Sequence, residues 1–439
     1  MSDKPDSVHP GATPLGAPST PRPPVRRDRR KVVKSCALLL APLTMGLAAC
    51  GTSGNSSSDP LASSPYDATD AVAVNAGADS QDVDPDKPLE VTAESGEDKI
   101  TDVFATDGAG RVLPGELSAD SKHWRSTGPL AAGVRYNLQV STENDEGAPG
   151  RRTVHFKTKP KGKHLNVKLG PDNGTYGVGQ PLTAELSRRV KSRKQREIIE
   201  RALRVKSTPH VEGSWHWVNS KELHFRPRTY WPAHASITLT SALKGLKLHK
   251  GLYGGSATPV RMKTGDRIEA IADASSLVMN VKKNGRTVHS MPITTGKAGY
   301  ETRNGIKVIL AKESFVRMTS ASIGASDFYD LPVYWATRLT DSGEYVHGAP
   351  WSVGSQGVSN TSHGCTGMSS GNARWFFENV RQGDIVQHVN TAGENMAPFG
   401  NGFGDWNLNW KQWRKGSTVN TAKYDDSGPA DAARLRPEV

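Results

Sequence analysis

Residues 276–293 have the sequence Ser-Leu-Val-Met-Asn-Val-Lys-Lys-Asn-Gly-Arg-Thr-Val-His-Ser-Met-Pro-Ile, two strand-like runs on either side of one turn signal. Asn284-Gly285 is a favoured two-residue connection between antiparallel strands, so the segment is predicted to form a β-hairpin. Residues 305–310 are expected to continue the sheet. Residues 373–380 predict a short amphipathic helix with Phe376 and Val380 inward, and residues 384–389 a closing strand. The chain from residue 266 onward is therefore predicted to be a mainly-β domain.

Shorter alternating runs precede this domain. Residues 135–141 and 153–158, with Gly, Asp and Pro turns between such runs, are typical of a small β-sandwich. A second unit from residue 160 repeats the pattern and contains a helical segment near residues 195–203. The predicted fold class is therefore mainly β: two β-sandwiches followed by a mainly-β domain.

Two residue clusters in the second unit allow a binding function. Trp215 and Trp217 share a strand face at a period of two, which favours core packing over a glycan-stacking platform. The same choice applies to Tyr230 and Trp231. The histidines follow no ligand spacing, so no metal site is expected; they are His210, His216, His224 and His234.

The front of the chain has the layout of an export signal: a basic cluster, then an apolar run that ends at Ala49. Residues 47–50, Leu-Ala-Ala-Cys, resemble the bacterial lipoprotein cleavage box, which implies removal of a signal peptide over residues 1–49 and a lipid on Cys50. A soluble secreted protein is the alternative. Arg29-Arg30 also resembles a twin-arginine signal, so the export route stays open. Residues 50–87 have almost no large apolar side chains and are expected to form a disordered tether.

The formal net charge of +12 suits an acidic partner. Nucleic acid is excluded by the expected location, which is the outer face of the cytoplasmic membrane, facing the cell wall. Anionic wall polymers and lipid headgroups remain as partners, and the charge also serves solubility.

The chain has three cysteines, and only Cys365 is expected to remain as a free thiol after export. Cys36 lies in the signal and Cys50 at its cut, so no disulfide framework is possible. A thiol becomes a nucleophile when a nearby imidazole takes its proton. His363 is two residues away on a tight turn, whereas His347 lies 18 residues earlier (365 − 347) on an adjoining strand. We favour His347 as the base.

Gly364 permits a backbone geometry in which the amides of Gly364 and Cys365 converge on a carbonyl oxygen. The residues alone thus predict acyl transfer through a thioester. A buried, inert cysteine near two structural histidines is the alternative.

His347-Gly348, followed by Ser362-His363-Gly364-Cys365, resembles the catalytic motif of L,D-transpeptidases of the YkuD type. Residues 345–354, 372–377 and 404–407 are similar to the actinobacterial lipoprotein branch of that family. The resemblance implies two immunoglobulin-like domains, a catalytic domain and a C-terminal subdomain that packs back on it. Their expected ranges are 88–159, 160–265, 266–390 and 391–425, before a tail over 426–439.

In that family, the cysteine cleaves a peptidoglycan tetrapeptide stem after its third residue and releases D-alanine. The thioester then passes to a neighbouring stem and forms a cross-link between third residues. The resemblance implies donor and acceptor stem peptides as partners, carbapenem β-lactams as covalent inhibitors and no cofactor. The resemblance also implies Cys365 as nucleophile and His347 as base, with the Gly348 carbonyl orienting His347. It implies that Ser362, His363 and the Gly364 amide surround the reacting carbonyl. The residues implied in substrate contact are Met318, Tyr334 and Trp351.

Two positions depart from the family pattern. Thr366-Gly367 stands where relatives carry an apolar residue and then Asn, so a polar side chain that braces the catalytic loop is missing. Gly348 replaces a Ser or Ala, a mild change because its carbonyl is the group used. Two further functions stay open: an L,D-carboxypeptidase that passes the thioester to water, and a catalytically weakened wall-binding lipoprotein.

Overall fold

The computed structural model describes residues 64–94, 98–320 and 330–419. The expected signal peptide, Cys50 and the tail over residues 426–439 lie outside the described residues. Three β-rich regions follow one another along the described chain. None of the helices in these ranges is long and apolar enough to cross a membrane.

The first region is a sandwich of two four-stranded sheets around one apolar core. The sheets have the strand orders β1-β8-β7-β4 and β2-β3-β6-β5. Long strands that alternate buried and exposed residues build the main sheet, as the pattern of residues 135–141 predicts. The strands are β1 (Tyr66–Asp67), β2 (Val72–Val74), β3 (Glu90–Ala93), β4 (Lys99–Asp107), β5 (Gly115–Leu117), β6 (His123–Ser126), β7 (Arg135–Glu143) and β8 (Pro149–Lys157).

This first sandwich begins earlier than the sequence indicates. β1 pairs in parallel with β8, and Ala68, Val72 and Ala76 are buried in the sandwich core. The expected tether over residues 50–87 is therefore wrong for residues 64–87, and the first domain does not start at residue 88. Small alanines and a two-residue strand carry little hydrophobic pattern, so the segment resembles a linker until its long-range partner is known.

The second region packs two four-stranded sheets, β10-β12-β15-β14 and β11-β19-β16-β13, around the largest apolar core. A three-stranded sheet, β17-β18-β9, lies beside them. The predicted helix near residue 195 is present as α1. The elements are β9 (Lys163–Leu165), β10 (Val167–Gly170), β11 (Gly174–Tyr176), β12 (Leu182–Leu186), α1 (Arg193–Ala202), β13 (Leu203–Thr208), β14 (Gly213–Trp217), β15 (Glu222–Pro227), β16 (Ser236–Ser241), β17 (Lys247–His249), β18 (Leu252–Gly254) and β19 (Val260–Thr264).

The tryptophans of this sandwich are packing residues. Trp215, Trp217 and Trp231 are buried in its core, and Trp215 meets the ring of Phe225 edge to face at 5.4 Å. Tyr230 is partly buried against Trp406. The structure confirms core and interdomain packing over a glycan platform.

The third region holds a five-stranded sheet, β22-β21-β20-β28-β23, and a four-stranded sheet, β24-β25-β26-β27. Helix α2 packs on β25 and β26 and buries Phe376. The elements are β20 (Ile268–Asp273), β21 (Val278–Lys283), β22 (Arg286–Pro292), β23 (Gly305–Val308), β24 (Ala311–Thr319), β25 (Asp330–Arg338), β26 (Tyr345–Gly348), a 3-10 turn (Pro350–Ser355), β27 (Thr366–Met368), α2 (Ser370–Asn379), β28 (Ile385–Val389), a 3-10 turn (Asp405–Asn407) and α3 (Trp410–Arg414).

The predicted hairpin is confirmed as β21 and β22. Asn284 and Gly285 both have positive φ angles, 50° and 85°, as a type I′ turn requires. The closing strand β28 pairs in parallel with β20, and β23 pairs with β28 on its other side.

The C-terminal segment packs mainly on the second sandwich, not only back on the third region as expected. The guanidinium of Arg226 lies 4.7, 5.6 and 4.5 Å from the ring centroids of Trp406, Trp410 and Trp413. Trp413 is fully buried and donates its indole N–H to the carbonyl of Ser214 at 2.9 Å. The segment also reaches the five-stranded sheet, because Asn407 Oδ1 accepts from the amide of Ile306 at 2.8 Å. It therefore ties the second sandwich to the third region.

Candidate active site

Two short parallel strands bring the predicted nucleophile and base together. β26 carries His347, and β27 begins at the residue after Cys365. His347 pairs in register with Gly367, so Cys365, directly before β27, lies beside β26, and His347 and Cys365 line the same cavity. The hydroxyl of Ser369 caps α2 by accepting from the amide of Asn372, which fixes the helix directly after β27.

The imidazole of His347 is buried and held in one orientation. Its Nδ1 lies 2.9 Å from the carbonyl oxygen of Gly348, the contact that the family resemblance implies. A carbonyl only accepts, so Nδ1 carries the proton and Nε2 is the basic nitrogen. Burial lowers the pKa of His347 below its usual 6.5, which keeps the ring neutral at neutral pH. His347 is thus able to accept a proton.

The thiol of Cys365 points toward the main chain of the neighbouring strand. It donates to the carbonyl of Gly343 at 3.5 Å and packs on a small apolar cluster that includes Val333 and Tyr345. Burial raises the pKa of Cys365 to about 11, although a main-chain hydrogen bond from Tyr345 acts in the opposite direction. The resting site therefore holds a neutral thiol and a neutral imidazole. Proton transfer to His347 has to accompany attack on a substrate.

The loop before the nucleophile offers one free amide. Gly364 has a φ of 109°, which favours glycine, but its N–H donates to the hydroxyl of Ser362 at 3.2 Å. The same hydroxyl donates to the carbonyl of Cys365 at 2.6 Å. Among the described residues, the amide of Cys365 has no acceptor. In this conformation the Cys365 amide is available to an oxyanion, and the expected Gly364 amide is engaged by Ser362.

A cavity of about 580 Å³ opens above the thiol. Met318 lines it from β24, and Val316, Leu331 and Val333 extend the apolar wall. Trp351 lines the opposite side, half exposed, with its ring stacked 6.0 Å from that of His347. Of the other expected site residues, the cavity also holds Ser362 and His363.

Tyr334 is the expected substrate residue that lies outside this cavity. It alternates with Val333 along β25, is 55% exposed and contacts Phe315 with its ring at 5.3 Å. Because neighbouring residues of a strand face opposite sides, Tyr334 turns away from the cavity that Val333 lines. Tyr334 is not among the residues that line the cavity, and its contact with the donor stays a prediction.

Residue 367 has no polar side chain that could brace the catalytic loop. Other residues, which follow the end of β22, make bracing contacts instead. The hydroxyl of Thr294 donates to the carbonyl of Ser359 at 2.8 Å and accepts from the amide of Thr361 at 3.0 Å. Asn360 Oδ1 accepts from the amide of Thr295 at 2.9 Å. These residues brace the loop before Cys365. Sequence reasoning missed them because no motif joins residues 294–295 to 359–361.

Gly367 itself is closely surrounded. A Cβ there would lie 3.1 Å from both the Cβ of Ala349 and the Cγ2 of Thr294. Gly367→Ala is therefore expected to lower the free energy of unfolding by about 1–3 kcal/mol through overpacking. It is also expected to lower turnover up to about tenfold by displacing the strand that begins beside the nucleophile. Thermal unfolding and cross-linking rates measure both effects.

The matched control is Gly367→Ala combined with Thr294→Ser, which removes the Cγ2 methyl and keeps the bracing hydroxyl. Partial recovery of stability in the double variant is expected, because the Cβ of Ala349 stays equally close. Equal losses with and without Thr294→Ser would contradict the steric explanation.

Comparison with known proteins places this site in a family. Residues 80–247 match the bacterial Ig domain, and residues 267–387 match the L,D-transpeptidase catalytic domain. L,D-transpeptidase 2 of Mycobacterium tuberculosis is 34% identical over 336 residues, which cover 76% of this chain and 81% of that protein. The chain belongs to the L,D-transpeptidase family. It is an enzyme of mainly-β fold, as the sequence predicts.

Two further proteins are similar to this transpeptidase. L,D-transpeptidase 5 of Mycobacterium tuberculosis is 29% identical over 340 residues, which cover 76% of this chain and 73% of that protein. A solved L,D-transpeptidase in complex with imipenem is 33% identical and covers 51% of this chain and 99% of its own, with a TM-score of 0.45. Along this chain, the match to the catalytic domain over residues 267–387 follows the match to the bacterial Ig domain over residues 80–247.

Proposed function

We propose that this transpeptidase joins the third residues of two peptidoglycan stem peptides through a thioester on Cys365. The observation that carries the proposal is the pairing of β26 with β27, which sets a free thiol and a neutral, oriented imidazole at the same cavity. Both groups are in the protonation states that general-base catalysis by His347 requires.

In the acylation step, Sγ of Cys365 attacks the carbonyl carbon of the third donor residue while its proton passes to Nε2 of His347. The amide of Cys365 donates to the oxyanion. His347 then returns the proton to the amine of D-alanine, which leaves. In the second step an acceptor amine attacks the thioester, loses a proton to His347 and displaces the sulfur, which takes that proton from His347 and becomes the neutral thiol again. One amide bond is broken and one is formed over the two steps, and no cofactor takes part in the reaction.

The apolar wall of the cavity supports a peptide donor with small apolar side chains, such as a stem peptide. Arg317 and Arg338 also line the cavity, but the Arg317 guanidinium pairs with Asp330, and that of Arg338 donates to the carbonyls of Thr340 and Asp341. A donor carboxylate therefore has to compete with these partners. The net charge of +12 also favours approach to an anionic wall.

The test is product analysis with a disaccharide tetrapeptide as both donor and acceptor. The expected product is a dimer whose mass equals two donors minus one alanine, with free D-alanine in equal amount. Fragmentation should place the new amide between third residues. Tripeptide without dimer would show that water is the acceptor and would refute transpeptidation in favour of the carboxypeptidase alternative.

Carbapenems are proposed as covalent inhibitors on chemical grounds. The strained lactam carbonyl acylates a thiol without loss of a leaving group, so the adduct should weigh as much as the whole drug. Mass spectrometry of the intact protein at neutral pH should find this adduct on Cys365. An unmodified protein after prolonged incubation would contradict the proposal.

A lipid anchor on Cys50 is proposed for the mature protein, which places the enzyme on the outer face of the cytoplasmic membrane. The supporting observation is the sequence Leu47-Ala48-Ala49-Cys50 behind a basic and apolar segment. Labelled palmitate should be incorporated into the wild type and not into Cys50→Ala. Equal labelling of both proteins would rule out this site.

A further inference from the structure

Residue 344 stands between the two main-chain groups that meet the nucleophile. The carbonyl of Gly343 accepts from Sγ of Cys365, and the main chain of Tyr345 makes the second hydrogen bond to the sulfur. The side chain of Glu344 is 7% exposed and lies among buried polar groups. The position of Glu344 therefore determines where both sulfur contacts lie.

Several groups hold the Glu344 carboxylate in place. Oε1 accepts from the amide and the guanidinium of Arg303, both at 3.1 Å. Oε2 lies 2.6 Å from Nζ of Lys307. The amide of Glu344 donates to the hydroxyl of Thr340 at 2.8 Å. Arg303, Lys307 and Thr340 thus hold Glu344, the residue between Gly343 and Tyr345.

Lys307 on β23 is fully buried and contacts groups before its own strand and on the neighbouring strand β28. Its ammonium donates to the carbonyl of Arg303 at 2.8 Å and lies 3.3 Å from Nδ1 of His388 on β28. An ammonium only donates, so Nδ1 of His388 accepts and Nε2 carries the proton. Nε2 then donates to the hydroxyl of Thr366 at 2.8 Å, one residue after Cys365. These contacts connect Lys307 and Glu344 to Thr366, the residue after Cys365, and to the main chain of Gly343 and Tyr345 beside the sulfur.

A buried ion pair is a weak source of stability. Removing two charges from water costs several kcal/mol per ion, and apolar replacements are often equally stable. Because the pair lies beside Cys365, each of its charges changes the pKa of the thiol. Glu344 raises the pKa of Cys365 and Lys307 lowers it. Arg303, Glu394, Tyr345 and His388 are the other titratable groups that face the network.

We propose that Lys307 and Glu344 form a positioning pair for the nucleophile: Glu344 holds the main-chain groups that contact Sγ, and the Lys307 ammonium offsets the negative charge of Glu344 beside the thiol. Neither residue touches the substrate cavity that holds Met318 and Trp351. The inference rests on the proposed function only in taking Cys365 as the reacting group.

The test is the rate of Cys365 alkylation by iodoacetamide at pH 8, measured on the full chain. Lys307→Met removes the buried ammonium and leaves the Glu344 carboxylate charged, with Arg303 as its remaining cationic partner, so less thiolate forms. Glu344→Gln leaves the ammonium alone, so more thiolate forms. A pKa shift of about one unit changes the rate about three- to tenfold, allowing for the lower nucleophilicity of a more acidic thiol. The two variants are therefore expected to move in opposite directions.

Three further variants separate this role from mere packing. The double variant Lys307→Met with Glu344→Gln should return close to the wild-type rate, and Lys307→Arg should keep it. Lys312→Met is the matched control, because Lys312 is partly buried in the same domain and donates to the carbonyl of Val380, away from the thiol. If Lys307→Met does not fold, the direction in which Glu344→Gln changes the alkylation rate tests the proposal on its own.

A fall or no change in alkylation of Glu344→Gln would overturn the proposal. Shifts of the same sign in both single variants, together with lower melting temperatures, would show that the pair serves packing alone. The alkylation rate reports the reactivity of the Cys365 thiol and does not depend on which acceptor takes the acyl group. A negative result here is therefore distinguishable from a failure to form cross-linked dimers.

Discussion

Cys365→Ala is expected to abolish dimer formation from tetrapeptide donors, with a loss of at least about 10⁴-fold in turnover. The thioester cannot form without the sulfur, and no other cysteine lies in the described residues. The carbapenem adduct should disappear in the same variant. Product analysis and intact-protein mass spectrometry measure the two losses independently.

The variant should remain folded. Cys365 is only partly buried and contacts a small cluster around Val333 and Ala336, so removal of one sulfur leaves little empty volume. A melting temperature within a few degrees of wild type is the control. Undiminished dimer formation in a folded Cys365→Ala protein would show that Cys365 is not the nucleophile.

His347→Gln is expected to lower turnover by about 10²–10⁴-fold, the usual contribution of a general base. The thiol remains, so slow alkylation and slow acylation should persist. The pH profile should also change. In the wild type, activity should fall only at pH values below the lowered pKa of His347, because a protonated imidazole cannot accept the thiol proton. In His347→Gln, the rate should rise continuously with pH as thiolate forms, since the pKa of Cys365 is about 11.

His363→Gln is the matched comparison, because His363 lines the same cavity and is nearer in sequence. Its ring contacts Tyr300 at 4.6 Å, and a loss of at most about tenfold is expected. A larger loss in His363→Gln than in His347→Gln would reverse the assignment of the base. If the rate of His347→Gln does not rise with pH in the alkaline range, this result would argue against a high pKa of the Cys365 thiol.

Local sequence signals predicted the elements that hold the site. Asn284-Gly285 sets the hairpin because few other dipeptides adopt two positive φ angles. The spacing between His347 and Cys365 fits adjacent strands joined by one loop and a 3-10 turn. Phe376 and Val380 are buried as their helical spacing predicts. Each of these features depends on residues that are near one another in the chain.

Features that depend on distant partners were beyond sequence reasoning. Residues 64–87 fold because β1 adds to β8, more than 80 residues away, and small alanines fit beneath it. The engagement of the Gly364 amide by Ser362 depends on one side-chain rotamer. Lys307, Glu344 and His388 resemble ordinary surface residues of strands and turns in the sequence. Only the packing of three strands places them together in the interior.

The tryptophans around Arg226 set a limit on how the protein can be divided for experiment. A fragment that starts at the catalytic domain would expose Trp406, Trp410 and Trp413 to water and leave the Trp413 indole without the Ser214 carbonyl. Large exposed aromatic patches favour aggregation. The shortest soluble fragment is therefore expected to run from about residue 160 to 419, because the second sandwich covers these tryptophans.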